Sequence, residues 1–282
     1  MIPLAFDYEV AESVDHAIEL LGQHGDEAKL LAGGHSLLPI MKLRLAAPTV
    51  LIDLGRIEDL NYVRDEGDHL AIGAMTRHTD MERDATLKEH CGLIAYTASL
   101  VGDPQVRHRG TIGGSISHGD AASDLPSALL ALDASFVVKG PDSERTVAAG
   151  DFFEDYLQTT LAPDEVLTEI RVPKLGSAGW SYKKFNRRAQ DWAVVGVAAV
   201  VERSNGSIGS ARIGLTNMGS TPLRATAAEN ALSGADPSSV AEATSSADEG
   251  TSPSSDIAAS DEYRRHLARV LCRRAVEEAL GR

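Results

Sequence analysis

Two glycine-paired loops, Ala32-Gly33-Gly34-His35-Ser36 and Thr111-Ile112-Gly113-Gly114-Ser115, restrict what this chain can become more than any other feature of its sequence. Each sets adjacent glycines beside a hydroxyl residue, between regular elements. Glycine admits positive φ and lets the main chain approach a ligand, and consecutive N–H groups can then form a concavity that holds an anion. Two such loops converging on one point can grip a pyrophosphate with backbone amides and hydroxyls, with little positive charge nearby. Taken singly, each is also what a tight structural turn looks like. The sequence holds no GxGxxG, GxxxxGK[ST], GxSxG or HExxH, which sets aside the common dinucleotide fold, a P-loop NTPase, a serine hydrolase and a zinc protease.

Charge and cysteines narrow the partners. Twenty-seven Lys and Arg against 41 Asp and Glu leave a net charge of −14, which repels nucleic-acid phosphates and anionic membrane faces. Cys91 and Cys272 cannot form a CxxC unit, so a cluster or zinc held by four thiolates is excluded within this chain, and any iron–sulfur centre belongs to a partner. Both read as small buried hydrophobes rather than a disulfide. The 282 residues suit two or more packed modules at roughly 150 residues each. No apolar run approaches the ~20 residues that cross a bilayer. The opening MIPLAFDYEV has neither basic leader nor apolar signal core, which points to the cytoplasm.

Periodicity supplies the frame. Ser13 opens a helix with Val14, Ala17, Ile18 and Leu21 on one face, stopped by Gly22 and Gly25. Ala28 to Ala32 and Thr49 to Leu54 read as strands of a βαβ-like unit with the first glycine loop at its turn. Leu60 to Arg64 and His69 to Gly73 form a hairpin, Leu87 to Leu100 a helix, Ser127 to Leu132 another, and Ser135 to Val138 and Val166 to Val172 strands. Lys174 to Gly179 is a boundary. Beyond it Ala193 to Glu202 and Ala211 to Thr216 are joined across Asn205-Gly206. Three helical stretches finish the chain, the last from about Asp261 to Leu280 with Tyr263, Leu267, Val270 and Leu271 on its apolar face. Ser233 to Ser260 reads as a mobile surface segment with some helix.

The residues from Leu30 to Pro39, and Gly110 to Ser115 followed by Asp120 to Pro126, resemble the two FAD loops of the flavoprotein subunits of molybdenum hydroxylases, which include xanthine dehydrogenase and aerobic carbon monoxide dehydrogenase. Ile213 to Asn217 with Leu223 to Ala225 is similar to that family's C-terminal domain, so the resemblance covers nearly the whole chain. It implies an α+β fold: a two-subdomain FAD-binding module, residues 1–57 and 58–175, followed by an α/β domain of the carbon monoxide dehydrogenase flavoprotein type, residues 176–282. By the same resemblance, Ala32, Gly33, Gly34, His35 and Ser36, flanked by Leu31 and Leu37, wrap the FAD diphosphate together with Thr111, Gly113, Gly114 and Ser115. Asp124 accepts hydrogen bonds from ribityl or ribose hydroxyls, with a helix N-cap as the alternative. Leu167 and Lys183 lie near the flavin ring, a solvated basic strand being the alternative for Lys183. Trp192 stacks on the isoalloxazine or else packs in the core. His108 and His118 read as polar loop residues, His118 being carried among the FAD-binding positions. His35 matches the carbon monoxide dehydrogenase-like branch.

The function so implied is electron transfer. A large partner with the molybdenum cofactor oxidises substrate, a small [2Fe-2S] partner passes the electrons to this FAD, and quinone or another acceptor takes them, in a dimer of heterotrimers reached by the membrane only through partners. No residue here is expected to act as a catalyst, and no metal is expected in this chain. Three other functions remain open: the medium subunit of a xanthine or N-heterocycle hydroxylase, a stand-alone FAD oxidoreductase, and a binding module in which the loops are structural.

Overall fold

The computed structural model describes residues 2–282. Ser13 caps the first helix, Val14–His24, by accepting from the His16 N–H, and the helix buries Ala17, Ile18, Leu20 and Leu21. Gly22 lies inside this helix rather than ending it; Gly25, at φ 55°, is the residue that ends it. The helix packs near a three-stranded parallel sheet in which Val50–Asp53 is flanked by Asp7–Val10 and Ala28–Leu31. The central strand is a continuous apolar run because both its faces are covered. Its neighbour Asp7–Val10 was not expected from the sequence pattern.

The second sheet is antiparallel and five-stranded, in the order Val63–Asp65, His69–Gly73, Val166–Pro173, Ser135–Lys139, Glu144–Ala148. Pro173 sits at the end of its strand, where a missing N–H costs least. The pairing register shifts between Leu167 and Glu169, and a bulge of this kind re-aims the side chains beside it. The expected helix over 87–100 is two, Ala85–His90 and Gly92–Ser99, broken at Cys91, whose ψ of 58° is not helical.

A third sheet, Gly179–Phe185, Val195–Ser204, Ser207–Thr216 and Leu223–Arg224, is antiparallel throughout. Asn205 and Gly206 both take positive φ, 50° and 85°, as a two-residue hairpin requires. Helix Asp261–Gly281 lies on this sheet so closely that a Cβ on Gly179 would fall 1.8 Å from the Ala279 carbonyl oxygen. Its buried face includes Leu267, Leu271, Cys272 and Val276, whereas Tyr263 is exposed. The segment 233–260 carries the expected helix, Val240–Ala243, but is not confined to the surface: its own Val240, Thr244, Ala247 and Ala259 are buried. Cys91 and Cys272 are buried in different cores and are free thiols, each pushed up to about 12 by burial.

The second and third sheets are joined where the site lies. Helix Asp124–Ala131 meets the third sheet at Gly214, where a Cβ would come 1.9 Å from the Ser127 carbonyl oxygen. The core of the second sheet accordingly includes Tyr182, Ala198 and Val200 of the third.

Candidate functional site

The two glycine loops meet backbone to backbone. A Cβ on Gly33 would lie 2.4 Å from the Arg109 carbonyl oxygen and 2.7 Å from the Gly110 Cα. Gly34 takes φ +76°, which an L side chain rarely adopts. Gly113 is pressed onto Ala74, its N–H donating to the Ala74 carbonyl at 2.8 Å. Gly114 is crowded by side chains alone: its Cβ position lies 2.9 Å from Thr111 Oγ1 and 3.7 Å from Ala32 Cβ.

Their donors differ. Among the described residues the backbone N–H groups of Gly33, Gly34, His35 and Ser36 have no protein acceptor; Gly33, Gly34 and Ser36 are half-buried and His35 is exposed, and a half-buried amide left that way asks for a ligand or water. In the second loop the amides from Ile112 to Ser115 are spent. Ile112 donates to the Thr76 carbonyl, Gly113 to that of Ala74, Gly114 to Thr111 Oγ1 as an N-cap, and Ser115 to the Thr111 carbonyl. What this loop offers a ligand is chiefly hydroxyls, those of Thr111 and Ser115, both of which line the cleft described next.

A cleft of about 700 Å³ opens where the loops meet. Every sequence-derived site residue lines it except Leu31 and Lys183. Leu31 ends its strand and backs the first loop instead, its Cδ1 lying 3.4 Å from the Cβ position of Gly34. His35, Ser36, Leu37 and His118 border the cleft, and His108 does not. Val101, Gly102 and Val106, which carry no motif, also line it.

Lys183 is kept off the cleft by the strand on which it sits. Alternation along Gly179–Phe185 sends neighbouring side chains to opposite faces, so Lys183 pairs with Glu278 of the last helix while Lys184 turns to the cleft. The Lys184 Nζ donates to Asp124 Oδ2 at 2.7 Å and to the Leu100 carbonyl at 3.0 Å. Asp124 is only 4% exposed and does not cap its helix, which follows Ser123 with no side-chain cap bond. Both carboxyl oxygens already have protein donors, since Tyr182 donates to Oδ1 at 2.8 Å; each oxygen keeps a second lone pair for a hydroxyl. Burial pushes the Asp124 carboxyl above the usual carboxylate range, against the pull of Lys184. The same burial raises the Tyr182 phenol, which therefore stays a donor.

Leu167, 5% exposed and placed by the bulge, supplies an apolar wall. Trp192 is 67% exposed at the cleft, so the core-packing alternative does not hold. His78, which sequence reasoning passed over, is buried against the second loop, its Nε2 lying 3.1 Å from Ser115 Oγ. Burial, with the nearby positive groups Arg107 and His35, pulls its pKa down to about 4. No group of three or more His, Cys, Asp or Glu among the described residues could hold a metal ion, and no helix there is long and apolar enough to cross a membrane.

Residues 4–175 match the family described as the FAD binding domain in molybdopterin dehydrogenase, and residues 180–279 match the CO dehydrogenase flavoprotein C-terminal domain. The chain is 42% identical over 285 residues to the carbon monoxide dehydrogenase medium chain of Hydrogenophaga pseudoflava, covering 100% of this chain and 99% of that one. It is 37% identical over 286 residues to the 6-hydroxypseudooxynicotine dehydrogenase complex subunit alpha of Paenarthrobacter nicotinovorans, covering 100% and 97%. Among solved structures, carbon monoxide dehydrogenase from Hydrogenophaga pseudoflava lacking the molybdenum-pyranopterin moiety of its cofactor superposes with a TM-score of 0.97 at 44% identity, covering 100% of this chain and 99% of that one. The α+β architecture of an FAD-binding module followed by a flavoprotein C-terminal domain is thus shared along the whole length. The chain belongs to the FAD-binding medium subunits of molybdenum-containing hydroxylases, oxidoreductase subunits whose cofactor is FAD.

Proposed function

We propose that this chain is the electron-relaying subunit of a carbon monoxide dehydrogenase-type enzyme. Its partners are a large subunit with the molybdenum cofactor and a small [2Fe-2S] subunit, in a dimer of heterotrimers, with quinone or a similar acceptor receiving the electrons. The observation that carries the relay reading is the cleft itself: free amides where the loops meet, and Lys184, Leu167 and Trp192 elsewhere on its walls. Its volume of about 700 Å³ suits a large organic cofactor. Bound FAD supplies the exchange between single-electron and paired-electron carriers.

The residues of this chain then have separable tasks. The amides of Gly33 to Ser36 and the hydroxyl of Ser115 hold the diphosphate, with Thr111, Gly113 and Gly114 shaping the loop that presents it. Asp124 takes a hydroxyl of the ribityl or ribose chain. Lys184, in the place first expected of Lys183, keeps a positive charge beside the ring, and Leu167 and Trp192 bound its apolar faces. His118, His35 and Leu37 close the rim. None of them abstracts a proton from substrate. We read the packing units as 1–57, 58–175 and 176–282.

The carbon monoxide reading rests on the relative of higher identity and on His35 in the first loop. A second reading, an N-heterocycle hydroxylase, draws on the 37% relative. The native complex, purified through a tag on this chain, decides between them by dye reduction with carbon monoxide or with N-heterocycles as donor. Reduction by carbon monoxide alone is expected. Reduction by an N-heterocycle alone overturns the first reading, and a flavin-containing chain that purifies without partners overturns both.

A further inference from the structure

Ser115 lines the cleft with a hydroxyl on a loop whose amides from Ile112 to Ser115 are already used, so which way its proton points bears on what the second loop can offer a ligand. The neighbour that controls this is His78. Its backbone is locked to the loop: the His78 N–H donates to the Gly110 carbonyl at 3.0 Å and the Ile112 N–H to the Thr76 carbonyl at 3.0 Å. Its ring is 2% exposed and lies under Gly110, where a Cβ would come 2.8 Å from Cδ2. Nε2 sits 3.1 Å from Ser115 Oγ, while Nδ1 is buried without a hydrogen-bond partner among the described residues.

A neutral imidazole carries one N–H, and its neighbours choose which nitrogen bears it. With the proton on Nδ1, a buried N–H would have no acceptor and Ser115 would spend its own proton on Nε2. With the proton on Nε2, that N–H is satisfied by Ser115 Oγ and only a lone pair at Nδ1 goes unused. Orphaned buried N–H groups are the rarer defect, so the second tautomer is the stable one. It leaves the Ser115 proton free to turn into the cleft.

We propose that His78 is a positioning residue for the cofactor's diphosphate: its Nε2–H donates to Ser115 Oγ and aims the Ser115 O–H at a phosphate oxygen. The proposal rests on the reading of the cleft as the FAD site. Protonation would place a second N–H on the partnerless Nδ1, so the ring stays neutral; burial and the charges of Arg107 and His35 hold it so.

FAD titration of the flavin-stripped full chain, with melting temperatures measured beside it, tests this through His78→Gln, His78→Leu and Ser115→Ala. A glutamine places an N–H donor where Nε2 was and should bind FAD within about threefold of wild type. His78→Leu and Ser115→Ala should each weaken FAD about tenfold, the effect of losing one hydrogen bond to a charged group. The double variant should be no weaker than Ser115→Ala alone, since both changes remove the same interaction. Imidazole ¹⁵N shifts should show His78 protonated at Nε2. Wild-type affinity in His78→Leu, additive losses in the double variant, or a proton on Nδ1 overturns the proposal. Should His78→Leu fail to fold, His78→Gln, Ser115→Ala and the ¹⁵N shifts still decide it. A wild-type chain that takes up no FAD overturns instead the reading of the cleft.

Discussion

The two glycine loops look alike in sequence and do opposite things in space. The first gives the cleft its backbone: the N–H groups of Gly33 to Ser36 are unspent, and Gly34 needs its positive φ. The second gives the cleft side chains, because its amides from Ile112 to Ser115 are bonded to Thr76, Ala74 and Thr111 and Gly113 is packed onto Ala74. Paired glycines therefore mean two separate things, ligand approach in one loop and close approach of protein to protein in the other. Even Gly33 divides its service, since the same missing Cβ lets Arg109 and Gly110 come near.

The largest effect is expected where the side-chain half meets the third sheet. Lys184 and Asp124 are both about nineteen-twentieths buried, at 6% and 5% side-chain exposure. Lys184→Met leaves a buried carboxylate uncompensated, which costs about 3–5 kcal/mol. Lys183→Met breaks only the half-exposed pair with Glu278 and should cost roughly 0–1 kcal/mol. Chemical denaturation of both variants checks this, and equal losses would show that the two lysines are not on different faces.

A pH profile separates the loops next. Unfolded, His78 takes up a proton below its ordinary 6.5; folded, it stays neutral until about pH 4. Below pH 6.5 the unfolded chain thus binds more protons than the folded one, and stability falls as pH falls, by about 3 kcal/mol on reaching pH 4. The charge effects of Arg107 and His35 add to burial in lowering the His78 pKa and so enlarge the loss. The difference between wild type and His78→Gln in denaturation at pH 7 and pH 4.5 isolates it; parallel profiles would mean the ring is charged or exposed.

Glycine by glycine the contrast is smaller. Gly33→Ala drives a Cβ into the Arg109 backbone and should cost about 1–3 kcal/mol along with FAD retention. Gly114→Ala meets a hydroxyl and a distant methyl, so its melting temperature should change less. Flavin content and melting curves of the two variants test the order.

How much of this was legible from sequence follows from how local each signal is. The Ser13 cap, the Asn205-Gly206 turn and the paired glycines are set by neighbouring residues and were readable. The buried face of the strand Gly179–Phe185 was not, because two adjacent lysines read as a solvated strand until Tyr182 and Lys184 are seen to share one face with Asp124. Had its buried face been identified, alternation would have moved the expectation from Lys183 to Lys184. The buried small residues of 233–260 look polar in composition because their burial depends on a helix that follows later in the chain. His78 has no motif, and only the fold brings it to Ser115, 37 residues away.

Trp192 tests the side of the cleft that neither loop supplies. A tryptophan 67% exposed contributes little to a core, so Trp192→Ala should alter folding stability by no more than about 0.5 kcal/mol. If its indole lies against the flavin, the lost contact is worth about 0.5–1.5 kcal/mol beyond area burial, a two- to tenfold weakening of FAD binding. Removing the indole should also raise flavin fluorescence, since a stacked tryptophan quenches it. The expected result is therefore brighter, more weakly held flavin in a chain that melts at nearly the wild-type temperature, whereas Gly33→Ala should lower both retention and melting. Unchanged fluorescence and affinity would place the ring against another wall, with Leu167 the residue to test next, and a large fall in melting temperature would mean that the exposed indole is covered by another part of the protein.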